Sequence, residues 1–198
     1  MAWEKLSVTG CLDATDVVWI NEIWCPGVKD DYSSLLYNLK KPTDRKGTFE
    51  WDYKEKSITK CSEFLNNFPK FKGTNPVIIP MPPSKKKGTI EYDDRLVQII
   101  NKVENAICLD IFDVKESVKS THTQDQAKDL TAIQSNLEIS ENAQIPNLVY
   151  VLDDVFTTGA HFKAIKNKIL EINPNAQVIG LFFFKPEGED YYNFIREY

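Results

Sequence analysis

A short stretch between residues 148 and 161 brings together acids, hydroxyl side chains and a glycine in an order that could bind a ligand. The apolar run 148–152 is followed by two adjacent acids, Asp153 and Asp154, and then by the turn Thr157-Thr158-Gly159. A helix that begins after such a turn presents unpaired N–H groups and the positive end of its dipole, and both attract phosphate. The hydroxyls add donors, and glycine lets the backbone close around an anion. The pattern therefore predicts a phosphate-binding loop.

The two acids must serve a different partner from the turn. Carboxylates repel phosphate, but they accept hydrogen bonds from hydroxyl groups. A ribose ring attached to the phosphate carries such hydroxyls, and a cation is the other partner that Asp153 and Asp154 could bind. An ordinary capped helix would need only one capping side chain at this point. The combination of acids, threonines and glycine favours a ligand site over simple capping.

The second half of the chain alternates between strand and helix patterns. Apolar runs predict four strands, at 77–80, 107–112, 148–152 and 178–184. Apolar residues spaced three and four apart predict helices at 96–103 and 162–172, and a further helix is predicted at 126–133, after a polar loop. This order implies βαβ crossovers. We therefore predict an α/β fold with a mainly parallel sheet flanked by helices.

The first part of the chain is less regular. Apolar spacing predicts two helices there, at 32–39 and 58–68. Residues 3–25 fit either a hairpin or a helix, and the tryptophans in this stretch are typical of core or lid packing. We divide the chain into a small N-terminal extension, residues 1–30, which forms a hood or a packing segment, and one domain, residues 31–198.

Composition and charge exclude several classes of protein. The formal net charge of −5 argues against a general nucleic-acid coat, with Lys85-Lys86-Lys87 as a local basic exception. No apolar run approaches the roughly 20 residues that cross a bilayer. No signal peptide is evident, so a cytoplasmic location is expected. The four cysteines form no CxxC pair, which excludes a zinc ribbon: Cys11, Cys25, Cys61 and Cys108.

The loop at 149–161 resembles the phosphoribosyl pyrophosphate motif of type I phosphoribosyltransferases: an apolar strand, two acids, two variable residues and a Thr-Thr-Gly turn. The wider pattern resembles the competence-associated, ComF-type members of this family. A proline-rich segment, residues 79–85, stands where that family has its pyrophosphate loop. A polar loop with Thr123 and Gln124 stands where its flexible lid lies. The helix ending Tyr37-Asn38-Leu39-Lys40 is similar to its N-terminal helix.

The sequence also departs from that family. ComF-type proteins usually begin with a zinc ribbon, which this chain lacks, and their lid usually carries an arginine, which residues 115–136 lack. His161 replaces the usual threonine or serine at the end of the phosphate loop. Enzymes that act on 6-oxopurines have an aspartate where Thr157 stands, so this substrate class is not expected.

The resemblance implies that the protein binds phosphoribosyl pyrophosphate and transfers its ribose 5-phosphate to an unidentified, nucleobase-like acceptor with release of pyrophosphate. Catalysis of this displacement depends mostly on positioning and charge stabilisation. Magnesium is the implied cofactor, held indirectly through water by Asp153 and Asp154. The implied catalytic residues are Asp153, Asp154 and Lys85.

The resemblance also assigns the binding residues. Ser84 and Lys85 would meet the pyrophosphate, although a solvated charge run is the alternative explanation of the lysines. The full implied set is Ser84, Lys85, Asp153, Asp154, Thr157, Thr158, Gly159, Ala160 and His161. The sequence leaves open whether His122, in the predicted lid, or His161 takes part.

Two other functions fit the same residues. One is a non-catalytic phosphoribosyl pyrophosphate sensor or DNA-uptake accessory protein of the ComF type, for which single-stranded DNA would be a partner. The other is a structural or regulatory protein with a vestigial site. The resemblance further implies a homodimer.

Overall fold

A mixed sheet organises the protein, and the computed structural model describes it through residues 3–24, 30–117 and 130–187. In these ranges the strands are β1 Glu4–Lys5, β2 Val17–Trp24, β3 Val77–Pro80, β4 Ile107–Cys108, β5 Phe112–Val114, β6 Leu137–Ile139, β7 Leu148–Val155 and β8 Gln177–Pro186. The helices are α1 Asp31–Leu39, α2 Phe49–Asn66, α3 Arg95–Ile100, α4 Leu130–Asn136 and α5 Ala160–Ile172, with a 3₁₀ turn at Thr43–Arg45.

The main sheet of the described residues has six strands in the order β1-β2-β8-β7-β3-β4. Every neighbouring pair from β2 to β4 is parallel, and only β1 runs antiparallel, to β2. Helix α2 contacts α1 and α3, and α4 contacts α5, so helices flank the sheet. The predicted α/β fold with a mainly parallel sheet is confirmed.

The chain leaves the centre of the sheet in two opposite directions. From β3 it passes through α3 to β4 at one edge, and from β7 it passes through α5 to β8 on the other side. The N–H of Met81 donates to the carbonyl of Leu152 at 2.8 Å, so β3 stays paired with β7 up to the carboxyl end of β3. Open α/β sheets bind ligands in the crevice at such a reversal.

Buried aromatic rings join the sheet to its helices. On one side Phe68 packs edge-on against Trp3, Phe71 and Tyr150, with ring centroids 5.0–6.1 Å apart. In the contact between α5 and β8, Phe162 lies against Gly180, where a Cβ would come within 3.0 Å of the ring. Glycine at this position therefore lets α5 approach the sheet closely.

Most predicted helices and strands are confirmed, but one helix is longer than predicted and one predicted strand is wrong. Helix α2 begins at Phe49, well before the predicted start at residue 58. The single strand predicted at 107–112 is wrong: β4 ends at Cys108, and Phe112 starts β5, which pairs antiparallel with β6 in a separate two-stranded sheet. The N–H of Ile111 donates to the carbonyl of Leu109 at 3.0 Å, and this tight turn separates the two strands.

The N-terminal residues, for which a hairpin and a helix were both open, form two strands. β1 pairs antiparallel with β2, and β2 runs parallel to β8 along its length. Whether residues 1–30 act as a hood stays a prediction. The predicted lid residues His122, Thr123 and Gln124 lie outside the described residues. Among the described helices, none has the length and apolar character needed to cross a membrane.

We expect Gly180→Ala to destabilise the fold, because the new Cβ would crowd the rings of Phe162 and Phe182. Overpacking of this kind costs about 1–3 kcal/mol, and urea unfolding monitored by circular dichroism measures it. Adding Phe162→Leu should recover part of the loss by making room. Unchanged stability in the single variant would contradict the close packing of α5 on the sheet.

Candidate functional site

The turn between β7 and α5 has the backbone shape that the sequence predicted. Gly159 is the N-cap of α5 and has a φ of +80°, a region that favours glycine. A Cβ there would also lie 3.1 Å from the side chains of Leu12 and Phe156. Thr157 and Thr158 are partly buried before it. Gly159 brings no capping side chain, and within the turn the N–H of Ala160 donates to the hydroxyl of Thr158 at 3.3 Å.

Asp154 is a buried acid surrounded by cations. Arg95 donates to its Oδ2 from Nη2 at 2.7 Å and from Nε at 3.1 Å, and the Lys40 ammonium lies 3.4 Å from its Oδ1. Burial alone would raise the pKa of Asp154, but the charges of Lys40 and Arg95 outweigh it and hold that pKa well below its usual value. Asp154 is therefore ionised, and both of its oxygens are engaged by the protein.

The cations around Asp154 belong to a larger buried network. Asp93 accepts from Arg95 at 3.0 Å and from the Lys54 ammonium at 2.7 Å. The Lys54 side chain has no exposed surface, and its ammonium also donates to the carbonyls of Leu39 at 2.9 Å and Lys41 at 2.7 Å. The network thus ties the end of α1, the middle of α2 and the start of α3 to the end of β7.

Asp153 differs from its neighbour. Its side chain is partly buried, its Oδ1 accepts from the N–H of Asp154 at 2.8 Å, and no ion pair reaches it within the described ranges. Burial, followed by the adjacent charge of Asp154, raises the pKa of Asp153 to about 7. Asp153 is therefore the acid of this pair that has an oxygen to offer a ligand.

The lysine run after β3 is neither a bare solvated stretch nor a single cationic cluster. The ammonium of Lys85 lies 2.9 Å from Glu91, that of Lys87 lies 2.8 Å from Asp110, and Lys86 lies 3.5 Å from Glu138. Because β3 and β7 are parallel and Pro80 pairs with Leu152, the chain that carries Ser84 and Lys85 leaves the sheet at the same end as Asp153. An anionic ligand there would have to compete with Glu91 for Lys85.

The structure thus brings the predicted phosphate turn, Asp153 and the lysine loop to one edge of the sheet, while Asp154 faces its cations. Ala160 is buried in the first turn of α5, and His161 beside it is partly exposed. The ligand roles of these residues stay predictions. The carboxyl end of the sheet therefore presents a glycine turn at the start of a helix, a carboxylate whose pKa is raised to about 7 and an ammonium.

Sequence reasoning missed the residues that hold the acids, namely Lys54, Asp93 and Arg95. Lys54 did carry a signal, because it stands on the apolar stripe of α2 with Ile58, Cys61 and Leu65, all buried. A charged residue at such a position must find partners inside the protein. No spacing pattern marked Arg95, since its partner Asp154 is 59 residues away.

Comparison with known proteins gives little beyond this geometry. No protein-family model and no curated protein matches the chain. One solved structure with some similarity is a hypoxanthine phosphoribosyltransferase from Staphylococcus aureus. It is 12% identical, the match covers 67% of this chain and 71% of that one, and the TM-score is 0.37.

Lys54→Met should destabilise the protein strongly. Loss of the ammonium breaks a buried ion pair and leaves two backbone carbonyls without this donor, at a cost of about 3–5 kcal/mol. Lys60→Met on the same helix is the matched control, because Lys60 is 52% exposed and its ion pair with Glu63 lies on the surface. We expect that control to change stability by less than about 1 kcal/mol. Equal losses in the two variants would contradict a special role for the buried network.

The raised pKa of Asp153 predicts how stability changes with pH. Below about pH 4 both folded and unfolded chains hold this proton. Between that value and about 7 the unfolded chain releases it while the folded chain keeps it, so the wild-type protein loses stability as pH rises. Asp153→Asn removes this dependence. Urea unfolding at pH 5 and pH 8 should show the wild type losing more stability than the variant, and parallel changes would refute the shift.

Proposed function

We propose that the protein binds phosphoribosyl pyrophosphate at the carboxyl edge between β3 and β7 and transfers its ribose 5-phosphate to a nucleobase-like acceptor, with release of pyrophosphate. The observation that supports this most is the placement of Asp153 directly before the Thr157–Gly159 turn, at the point where the sheet reverses direction. A phosphate and a neighbouring pair of hydroxyls match these two features, and a sugar phosphate carries both.

Each part of the ligand has a partner in this proposal. The 5-phosphate would bind the turn from Thr157 to His161, through hydroxyls and amides worth roughly 1.5–3 kcal/mol for each charged hydrogen bond. The ribose hydroxyls would donate to Asp153. Ser84 and Lys85 would bind the pyrophosphate, with Lys85 exchanging Glu91 for it.

The reaction breaks the bond between C1 of the ribose and the pyrophosphate oxygen, which takes both electrons. A bond then forms between C1 and a nitrogen of the acceptor, whose proton passes to solvent. Positive charge builds on the ribose during this exchange, and the Asp153 carboxylate would stabilise that charge if the ribose hydroxyls bind it as proposed. Lys85 would stabilise the negative charge of the departing pyrophosphate.

Magnesium fits the residues as an ion that accompanies the ligand. Among the described residues no group of three or more His, Cys, Asp or Glu side chains could hold a metal. Magnesium bound through phosphates, waters and one or two carboxylates needs no such group, and Asp153 could contact it through water. When bound, it would neutralise the pyrophosphate. Asp154 would act indirectly, because Arg95 and Lys40 engage it.

Calorimetry with phosphoribosyl pyrophosphate, with and without magnesium, tests the binding step. We expect binding that strengthens with magnesium and that Thr158→Ala weakens at least about tenfold, since a hydroxyl donor to a charged group is lost. Thr74→Ala is the matched control, because that hydroxyl bonds only to the carbonyls of Lys70 and Phe71. Absence of binding by the wild type would contradict the proposal.

Turnover is tested separately by pyrophosphate release in the presence of magnesium and a panel of bases. Tight binding without turnover would favour the second candidate, a non-catalytic sensor of phosphoribosyl pyrophosphate. The observation that favours it is that Lys85 already pairs with Glu91 at 2.9 Å and Asp154 with Arg95 at 2.7 Å. Single-stranded DNA and a second copy of the chain stay proposed partners, to be tested by a gel shift and by light scattering.

A further inference from the structure

The loop between β1 and β2 lies directly against the candidate phosphate turn. The N–H of Cys11 donates to the carbonyl of Thr158 at 2.7 Å. The side chain of Leu12 also lies close to Gly159, since a Cβ added to Gly159 would be 3.1 Å from it. A stretch far away in the sequence, outside the motif, therefore holds the turn from one side.

The same loop is anchored to α5 by ion pairs. The buried carboxylate of Asp16 accepts from Lys163 at 2.8 Å and from Lys166 at 2.5 Å, and Asp13 also pairs with Lys163. The carboxylate of Asp16 is fully buried, and the two lysine side chains are only 15% and 10% exposed. These pairs are therefore better shielded from solvent than ordinary surface ion pairs, and they fix the loop relative to the first turns of α5.

Gly10 is required at the closest point of this contact for two reasons. Its φ is +59°, where residues with a side chain are strained. A Cβ at this position would also overlap the carbonyl oxygen of Thr158. Backbone can therefore approach backbone here only because residue 10 lacks a side chain.

The contact sets the direction of one peptide group in the turn. In a planar trans peptide the C=O of one residue and the N–H of the next point in opposite directions. Because the carbonyl of Thr158 points at the N–H of Cys11, the N–H of Gly159 points away from the N-terminal loop. A fixed N–H at the start of a helix is a donor suited to an anion.

We propose that Gly10 and Cys11 are positioning residues for the phosphate site: they hold the Thr158–Gly159 peptide so that the Gly159 N–H is directed at the 5-phosphate of the ligand. This inference rests on the proposed function. It extends the proposed site to include the N-terminal loop. In this proposal the loop acts through the Thr158–Gly159 peptide and does not contact the ligand.

The test compares two glycine substitutions by calorimetry with ribose 5-phosphate. Gly10→Ala should weaken binding about 10- to 100-fold, the loss expected for one hydrogen bond to a charged group. Gly73→Ala is the control, because Gly73 also has a positive φ, +72°, but a Cβ there meets nothing within 4 Å. Gly73 precedes β3 and so lies towards the opposite edge of the sheet. The control should lose stability without losing affinity.

A milder pair of variants covers the case in which Gly10→Ala does not fold. Asp16→Asn keeps the shape of the side chain but weakens the anchor to α5, so ribose 5-phosphate should bind several-fold more weakly. Glu171→Gln is its control, since this exposed acid of α5 pairs only with Lys168 and Gln134. In both experiments, the amide resonance of Gly159 should shift on ligand addition in the wild type and shift less in the weakened variants.

The outcomes separate this inference from the proposed function. If Gly10→Ala and Asp16→Asn bind ribose 5-phosphate as tightly as their controls, or if the wild-type Gly159 resonance does not move on binding, the positioning role is overturned while the function stands. If the wild type binds neither ribose 5-phosphate nor phosphoribosyl pyrophosphate, both are overturned.

Discussion

The buried ion pair between Arg95 and Asp154 is the interaction on which the candidate site depends. Asp154 is the next-to-last residue of β7, ahead of the turn at Thr157–Gly159, and Arg95 begins α3, after the loop that carries the lysine run. One contact therefore links the segments that carry the two parts of the candidate site. Asp93 accepts from Arg95, and Lys54 donates to Asp93 in turn. A charge taken out of water needs such partners, so the network leaves little freedom to any of its members.

The same interaction gives the adjacent side chains of Asp153 and Asp154 different surroundings and different pKa values. Successive residues of a strand point to opposite faces of the sheet. Asp154 meets Arg95 and Lys40, which keep it ionised, whereas Asp153 is partly buried beside that negative charge and has a raised pKa. A ligand that brings a cation or hydroxyl groups to Asp153 would supply what the protein does not. The protein thus separates an acid that holds the structure from an acid that can serve a ligand.

The phosphate turn is held from two directions. The ion network fixes the strand that leads into it, and the N-terminal loop contacts Thr158 and borders Gly159 on its other side. β2 and β8 carry that loop into place, because β2 pairs with β8 along its whole length. Contacts from distant parts of the chain therefore set the shape of a turn whose own residues are few. Rigid support of this kind is what a site needs for orientation-dependent binding.

The sequence by itself determined several local features: three strands of the parallel sheet, β3, β7 and β8, from their apolar runs, α5 from its spacing, and the turn before α5 from the order of acids, threonines and glycine. These depend on neighbours a few residues apart, so local patterns report them. Only the tertiary structure decided which acid is engaged and that Gly10 lies against Thr158. Those outcomes depend on contacts between residues 59 positions apart in one case and on the pairing of β2 with β8 in the other. No local periodicity encodes such contacts, because they arise when the sheet order brings distant segments together.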